Sequence, residues 1–310
     1  MLGILPQQAV ENDVARLDLE VAVACLRYVR DIVLISRGDG DLIETIVFTA
    51  ALDANMAPVD RDPDLGVIYG GAEASAPDEL RRPVSINAVA QSLGLPFETV
   101  RRRFVDLVRH GACVAVPGGL IVPRSAVTSD AYMAIQQARF ERTQALYVTL
   151  RGLGAIELLT EVRDSSAEPL VRAANRAVSE YMLRVCPALV GLTQNVLTTL
   201  VFMQLVLDNI EEMDGAGLET WAIEHGAVGR PVRMAVVAGR LPLSRETVRR
   251  HVRTLEDLGF CRRVEGGFVA VAPPWAVPEI SRLAAANRID LRRLLARLYR
   301  LGVLSAWDVA

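Results

Sequence analysis

The chain has 310 residues, 51% of them apolar and 23% charged, with a formal net charge of −3 and no lysine among its basic residues. That length accommodates two or three domains with a real core, and the balance excludes a disordered or collagen-like chain. The four cysteines (Cys25, Cys113, Cys186, Cys261) lack metal-ligand spacing, so no metal site is expected.

Residues 11–36 contain no Pro or Gly and place Val14, Leu17, Val21, Leu26, Val29 and Val33 at helical spacing, which predicts a long helix stopped at Arg37-Gly38-Asp39-Gly40. A second helix is expected from Asp41 to about Met56, followed by a Pro-, Gly- and Asp-rich mobile loop over 57–80. Arg82-Pro83-Val84 reads as extended. Asn87 to Leu93 reads as a short helix, Gly94-Leu95-Pro96 as a tight turn, and Phe97 to His110 as a longer helix burying Val100, Phe104 and Leu107. Residues 113–122 read as a hairpin turning at Pro117-Gly118-Gly119. The middle is expected to be helical over Ala131 to Leu159 and Pro169 to Cys186, with a polar break around Arg163 to Glu168. Val196 to Ile210 is the most apolar run. It is short and contains Gln204 and Asp208, which predicts a core helix, not a membrane span.

From that point the pattern repeats. Arg230 to Val271 aligns without a gap on Arg82 to Pro123, with about eighteen of some forty positions identical. The shared residues include Arg-Pro-Val, Glu-Thr-Val-Arg-Arg and Gly-Gly. The repeat extends upstream, where Ile46-Val47-Phe48 with Leu52-Asp53 resembles Leu200-Val201-Phe202 with Leu207-Asp208. The tail from Pro278 reads as an amphipathic helix. The expected organisation is an N-terminal helix (1–39), module 1 (40–127), a helical connector or dimer region (128–192), module 2 (193–276) and a helical tail (277–310). Charge follows the repeat: residues 81–127 and 229–276 each carry close to +5, leaving the remainder near −13. A basic footprint confined to two modules is the electrostatic mark of nucleic-acid binding.

Helix, short strand, helix, turn, helix and hairpin is the element order of a winged helix-turn-helix, in which the second helix of the turn enters the major groove. The fold class expected is therefore mainly α with small β-wings, two such modules joined by a helical middle. Ser244-Arg245-Glu246-Thr247-Val248-Arg249, followed by Leu255 and Gly259, resembles the recognition helix of GntR-type winged-helix transcription regulators, with MarR-like and DeoR-like regulators as near alternatives. The resemblance covers the module cores, about a third of the chain. It implies DNA contacts at Ser244, Arg245, Glu246 and Arg249. Module 1 departs from it, with Pro96-Phe97 in place of Ser244-Arg245.

Helical spacing adds to the resemblance. With Val100 and Val248 inward, Glu98, Arg102 and Arg109 face outward with Arg101 at the edge, and Glu246, Arg250, Asp257 and Arg249 take those places in the second copy, with Arg253 between Arg250 and Asp257. The candidate DNA-binding set is Ser244, Arg245, Glu246, Thr247, Arg249, Arg250, Arg253, Arg262 and Arg263 in module 2, with Glu98, Thr99, Arg101, Arg102 and Arg103 in module 1. The two glutamates either accept from a cytosine amino group or stabilise the helix N-terminus. Arg262 and Arg263 make the second hairpin basic, whereas residues 113–122 carry no charge, so module 2 is expected to bind more strongly.

The function expected is a bacterial, cytoplasmic regulator of transcription that binds double-stranded DNA, as a homodimer, with recognition helices spaced about 34 Å apart. No membrane and no cofactor is expected, and a small-molecule or protein effector is left open. The alternative is an architectural protein whose modules dock other proteins in chromosome segregation or replication. No phosphate-binding loop, His-Glu-x-x-His pair or nucleophile elbow is present, so no catalytic residue is expected.

Overall fold

A computed structural model describes residues 7–38, 40–156 and 170–309. In order these form α1 (Gln7–Arg37), α2 (Leu42–Arg61), α3 (Pro63–Ile68), α4 (Ile86–Leu93), α5 (Phe97–Arg109), β1 (Val114–Val116), β2 (Gly119–Ile121), α6 (Asp130–Gly152) and α7 (Val171–Thr193). Then follow α8 (Val196–Asn209), α9 (Gly215–Ile223), α10 (Met234–Arg240), α11 (Arg245–Asp257), β3 (Cys261–Val264), β4 (Gly267–Ala270), α12 (Val277–Arg300) and α13 (Val303–Val309). The protein is mainly helical with two small antiparallel sheets. The expected helix end at Leu159 and the polar break from Arg163 to Glu168 lie outside the described residues.

The chain forms two compact units. One comprises residues 7–30, 146–156 and 188–286 and holds the second repeat; the other comprises residues 31–145, 170–187 and 287–309 and holds the first. The helical middle thus contributes to both units.

Within module 1, Ser85 starts α4 by accepting from Ala88 N at 3.1 Å, and Gly94 ends it in the left-handed region at φ +62°. Both are standard helix-boundary chemistry. Helix α5 then buries Val100, Phe104 and Leu107 against Val47, Ala50 and Ala51 of α2. By composition and length α2 passes for a membrane span, yet these residues are core. The β1–β2 hairpin closes at Gly119, where a Cβ would lie 2.4 Å from the Val84 carbonyl oxygen. Its twin, Gly267, would clash at 2.3 Å with the Val232 oxygen. These glycines let a third short strand approach, and Val84 bridges Leu120 as Val232 bridges Phe268.

That third strand ends at once, and in both modules an asparagine continues its ladder. Asn55 donates to the oxygens of Arg82 (2.7 Å) and Leu120 (3.1 Å) and accepts from Val122 N at 2.8 Å. Asn209 donates to Arg230 O (2.6 Å) and Phe268 O (3.0 Å) and accepts from Ala270 N at 2.7 Å. Both side chains are fully buried, where such satisfaction is needed. The equivalence also corrects the upstream alignment. Pairing Asn55 with Asn209 sets Leu52 opposite Val206, one position from the match with Leu207 that sequence had given.

Residues 57–80 are a second correction, since they are not a loop throughout. Helix α2 runs on to Arg61 with Pro58 inside it, and Asp62 caps α3 by accepting from Asp64 N (3.0 Å) and Leu65 N (3.1 Å), with Pro63 at the first position. Asp-Pro ahead of an apolar pair is a helix start. Ala76 is buried with Met56 and Val59, and Arg176 donates to the carbonyl oxygens of Tyr69 and Gly66. The segment is pinned.

The apolar run at 196–210 is α8, almost wholly buried and capped by Asn195. The tail forms α12 and α13, burying Leu291, Leu294 and Leu298, and Arg297 meets Asp60 at 2.6 Å. Cys113 and Cys261 are buried at equivalent positions, and burial pushes both thiols up to about 12. That makes them inert small hydrophobes at neutral pH.

Candidate nucleic-acid interface

Helix α11 is built to expose its first turn. Ser244 caps it by accepting from Thr247 N at 3.0 Å and shares a 2.8 Å hydroxyl contact with Thr247 Oγ1. Val248, Val252 and Leu255 are buried, which turns the opposite face outward. Arg245, Glu246, Arg249, Arg250 and Arg253 are all exposed there. Arg249 donates from Nε (2.8 Å) and Nη2 (2.6 Å) to the two carboxylate oxygens of Glu246. This pairing holds the Glu246 carboxyl below the usual range and raises the Arg249 guanidinium. It presents a planar, pre-oriented fork with Nη1 left over, the geometry suited to a guanine edge or a phosphate. Among the described residues no ion pair is recorded for Arg245, Arg250, Arg253 or Arg263. Arg263 is exposed on β3, and Arg262 beside it is exposed with one amino group on Ala227 O at 2.9 Å.

Module 1 repeats the pair. Arg101 donates from Nε and Nη2 to Glu98, each at 2.8 Å, and Arg102 adds a 3.1 Å bond to the same carboxylate. These arginines lower Glu98 to about 2. Glu98, Arg101 and Arg102 are exposed as expected, and Thr99, like Thr247, is half-buried.

Arg103 departs from the expectation. It turns toward the N-terminus of α2, 3.4 Å from Asp41 with its side chain 30% exposed. Its counterpart His251 is buried, its Nδ1 2.8 Å from Thr198 Oγ1. That helical position faces α2 or α8 in each module, so neither residue belongs to the outward face. Ser244 and Thr247 likewise spend their hydroxyls on the cap.

The surfaces of the modules differ more than their frames. Phe97, Val105, Val108 and Val114 are exposed in module 1, where module 2 carries Arg245, Arg253, Glu256 and Arg262. Sequence reasoning noted the first and last of these exchanges and missed the two on the helix, although the ungapped repeat contains them.

The Asn55 and Asn209 clamps were also missed. Single asparagines carry no signal until Ala54-Asn55-Met56 is laid on Asp208-Asn209-Ile210. Among the described residues no cluster of His, Cys, Asp and Glu is placed to hold a metal. No protein-family model, curated protein or solved structure matches the chain.

Proposed function

We propose that the protein is a double-stranded-DNA-binding regulator of transcription, built on two winged helix-turn-helix modules, with α11 of module 2 as its principal reader. The observation that carries this reading is the outward face of α11 and β3. Arg245, Arg249, Arg250, Arg253, Arg262 and Arg263 are all exposed there. Such a concentration of arginine at the start of a capped helix and on its adjoining hairpin fits phosphate and base-edge contact. Placement in a bacterial cytoplasm and action as a homodimer belong to the same reading and rest on composition and on the symmetry of operators.

The test is duplex binding by the full chain to genome-derived fragments across a salt series. Arg249→Ala/Arg250→Ala should abolish selective binding, each lost phosphate contact lowering the log-log salt slope by about one and each lost base contact costing about 1–3 kcal/mol. Arg101→Ala/Arg102→Ala should weaken binding less. Absence of duplex binding near physiological salt overturns the proposal. It would favour the second reading, a protein-docking module, to which the exposed Phe97, Val105, Val108 and Val114 lend specific support.

A further inference from the structure

In the unit that holds module 1, α2, α6 and α7 enclose a cleft with about 500 Å³ of empty space, part of it open to solvent. Two of its walls are buried guanidiniums, Arg81 and Arg172, which are 5% and 8% exposed. Each spends part of its fork on the chain around it. Arg81 donates to Asp78 (3.1 Å) and Ala76 O (3.0 Å), and Arg172 to Ala72 O (2.7 Å) and Val127 O (2.9 Å). The remaining amino group of each points at a thioether: Arg81 Nη1 lies 3.5 Å from Met56 Sδ, and Arg172 Nη2 lies 2.9 Å from Met133 Sδ. A thioether is a weak acceptor, and a buried cation opposite one is poorly compensated. Burial lowers both guanidiniums, and the charge of Arg81 bears on Arg172. The charges converge on the Tyr132 phenol, on which Arg139 and Arg176 act as well.

An independent observation supplies the other half of a ligand. Asn175 lines the same cleft and is 2% exposed. Its Nδ2 donates to Gln136 O at 2.8 Å, while its Oδ1 has no hydrogen-bond partner. A buried amide oxygen without a donor is costly, and such atoms are uncommon. Tying α7 to Ala72 and Val127, and Arg81 to Ala76, accounts for the bonds from arginine to carbonyl oxygens. It accounts neither for amino groups facing sulfur nor for a buried acceptor left without a donor.

We propose that this cleft binds a small organic acid that also carries a hydroxyl or ammonium group. Its carboxylate takes the amino groups of Arg81 and Arg172 that now face sulfur, and its donor meets Asn175 Oδ1. Asp53 shares the lining and, through burial and the nearby Asp60 and Glu180 carboxylates, is raised to about 6.

The site stands apart from DNA reading and is tested without DNA. The full chain is titrated calorimetrically with L-malate, L-aspartate, succinate and inorganic phosphate. Malate or aspartate should bind saturably, and succinate, which lacks the donor, about tenfold more weakly. Arg172→Gln and Asn175→Ala should each weaken binding at least about tenfold, whereas Arg184→Gln, outside the cleft, should not. Asn175→Ala removes the acceptor, leaves the arginine staples in place and so tests the site even if Arg172→Gln misfolds. No saturable binding of malate, aspartate or succinate overturns the proposal, as does binding that survives both cleft variants. Phosphate bound as tightly as malate or aspartate overturns the organic-acid assignment.

Discussion

Replacing Asn209 with alanine tests the frame on which both modules are built. The side chain makes three hydrogen bonds, to Arg230 O, Phe268 O and Ala270 N. Phe268 O keeps a partner after the substitution, because Val232 N also donates to it at 3.0 Å. Arg230 O and Ala270 N lose the bonds described for them. Each backbone group stripped in a buried site costs about 1–3 kcal/mol, so Asn209→Ala should destabilise module 2 by about 2–5 kcal/mol. A domain's whole stability is about 5–15 kcal/mol.

Because the chain has two compact units, a single unfolding midpoint does not report this cleanly. Native-state hydrogen exchange does. Protection of the peptide spanning β3 and β4 should fall about 30-fold or more, with the Ala270 amide among those released, while β1 and β2 stay protected. Asn55→Ala should show the converse. A loss of less than about fivefold, or an equal loss in both modules, would refute the idea that each asparagine completes its own ladder.

Three further outcomes are expected. Asp53 is raised from 3.8 to about 6 chiefly by burial, so the folded chain holds a proton that the unfolded chain has released. Its contribution to stability is therefore full below about pH 4 and is lost as pH rises to about 6. Asp53→Asn should remove that decline and gain about 2–3 kcal/mol near neutrality, as read by native-state hydrogen exchange in α2 across the same range. Ser244→Ala should cost module 2 about 1 kcal/mol through its lost cap, and Ser244→Gly only a few tenths, as read by hydrogen exchange in α11. Val105→Arg/Val114→Arg, which copies the arginines of module 2 onto the exposed valines of module 1, should steepen the salt dependence of duplex binding by about two contacts; an unchanged slope would show that this face does not meet the backbone.

The sequence carried the element order because each boundary has a local cause. Ser85 and Ser244 are caps, Gly94 takes a left-handed conformation, and Gly119 and Gly267 sit where no Cβ fits. The apolar spacing of Val100, Phe104 and Leu107 also showed which face turns inward, and hence that Glu98, Arg101 and Arg102 turn outward. Arg103 failed because its orientation is decided by α2, a partner distant in sequence. Residues 57–80 failed because Pro, Gly and Asp signal both loops and helix starts, and the bonds that Asp64 N and Leu65 N donate to the Asp62 carboxylate separate the two. The cleft was illegible for a related reason. Arg81, Tyr132 and Asn175 come from three separated segments, and their convergence depends on the packing of α6 and α7, whose pattern has no counterpart in the repeat.

The two modules divide what the repeat holds fixed from what it varies. Buried positions match in kind: Val100 with Val248, Leu107 with Leu255, Cys113 with Cys261, and the asparagine clamps. The Glu98–Arg101 and Glu246–Arg249 pairs match on the exposed side, although a surface ion pair contributes little to stability. An exposed feature shared by both modules and not needed to hold the fold is best explained by what it contacts. The exchange of Phe97, Val105 and Val114 for Arg245, Arg253 and Arg262 makes these exposed positions apolar in one module and cationic in the other. Apolar surface does not pay for phosphate contact, and arginine does. The same frame therefore offers one face suited to DNA and one on which a hydrophobic contact competes with it, which is why the arginine graft on module 1 discriminates between the two readings more sharply than any deletion in module 2.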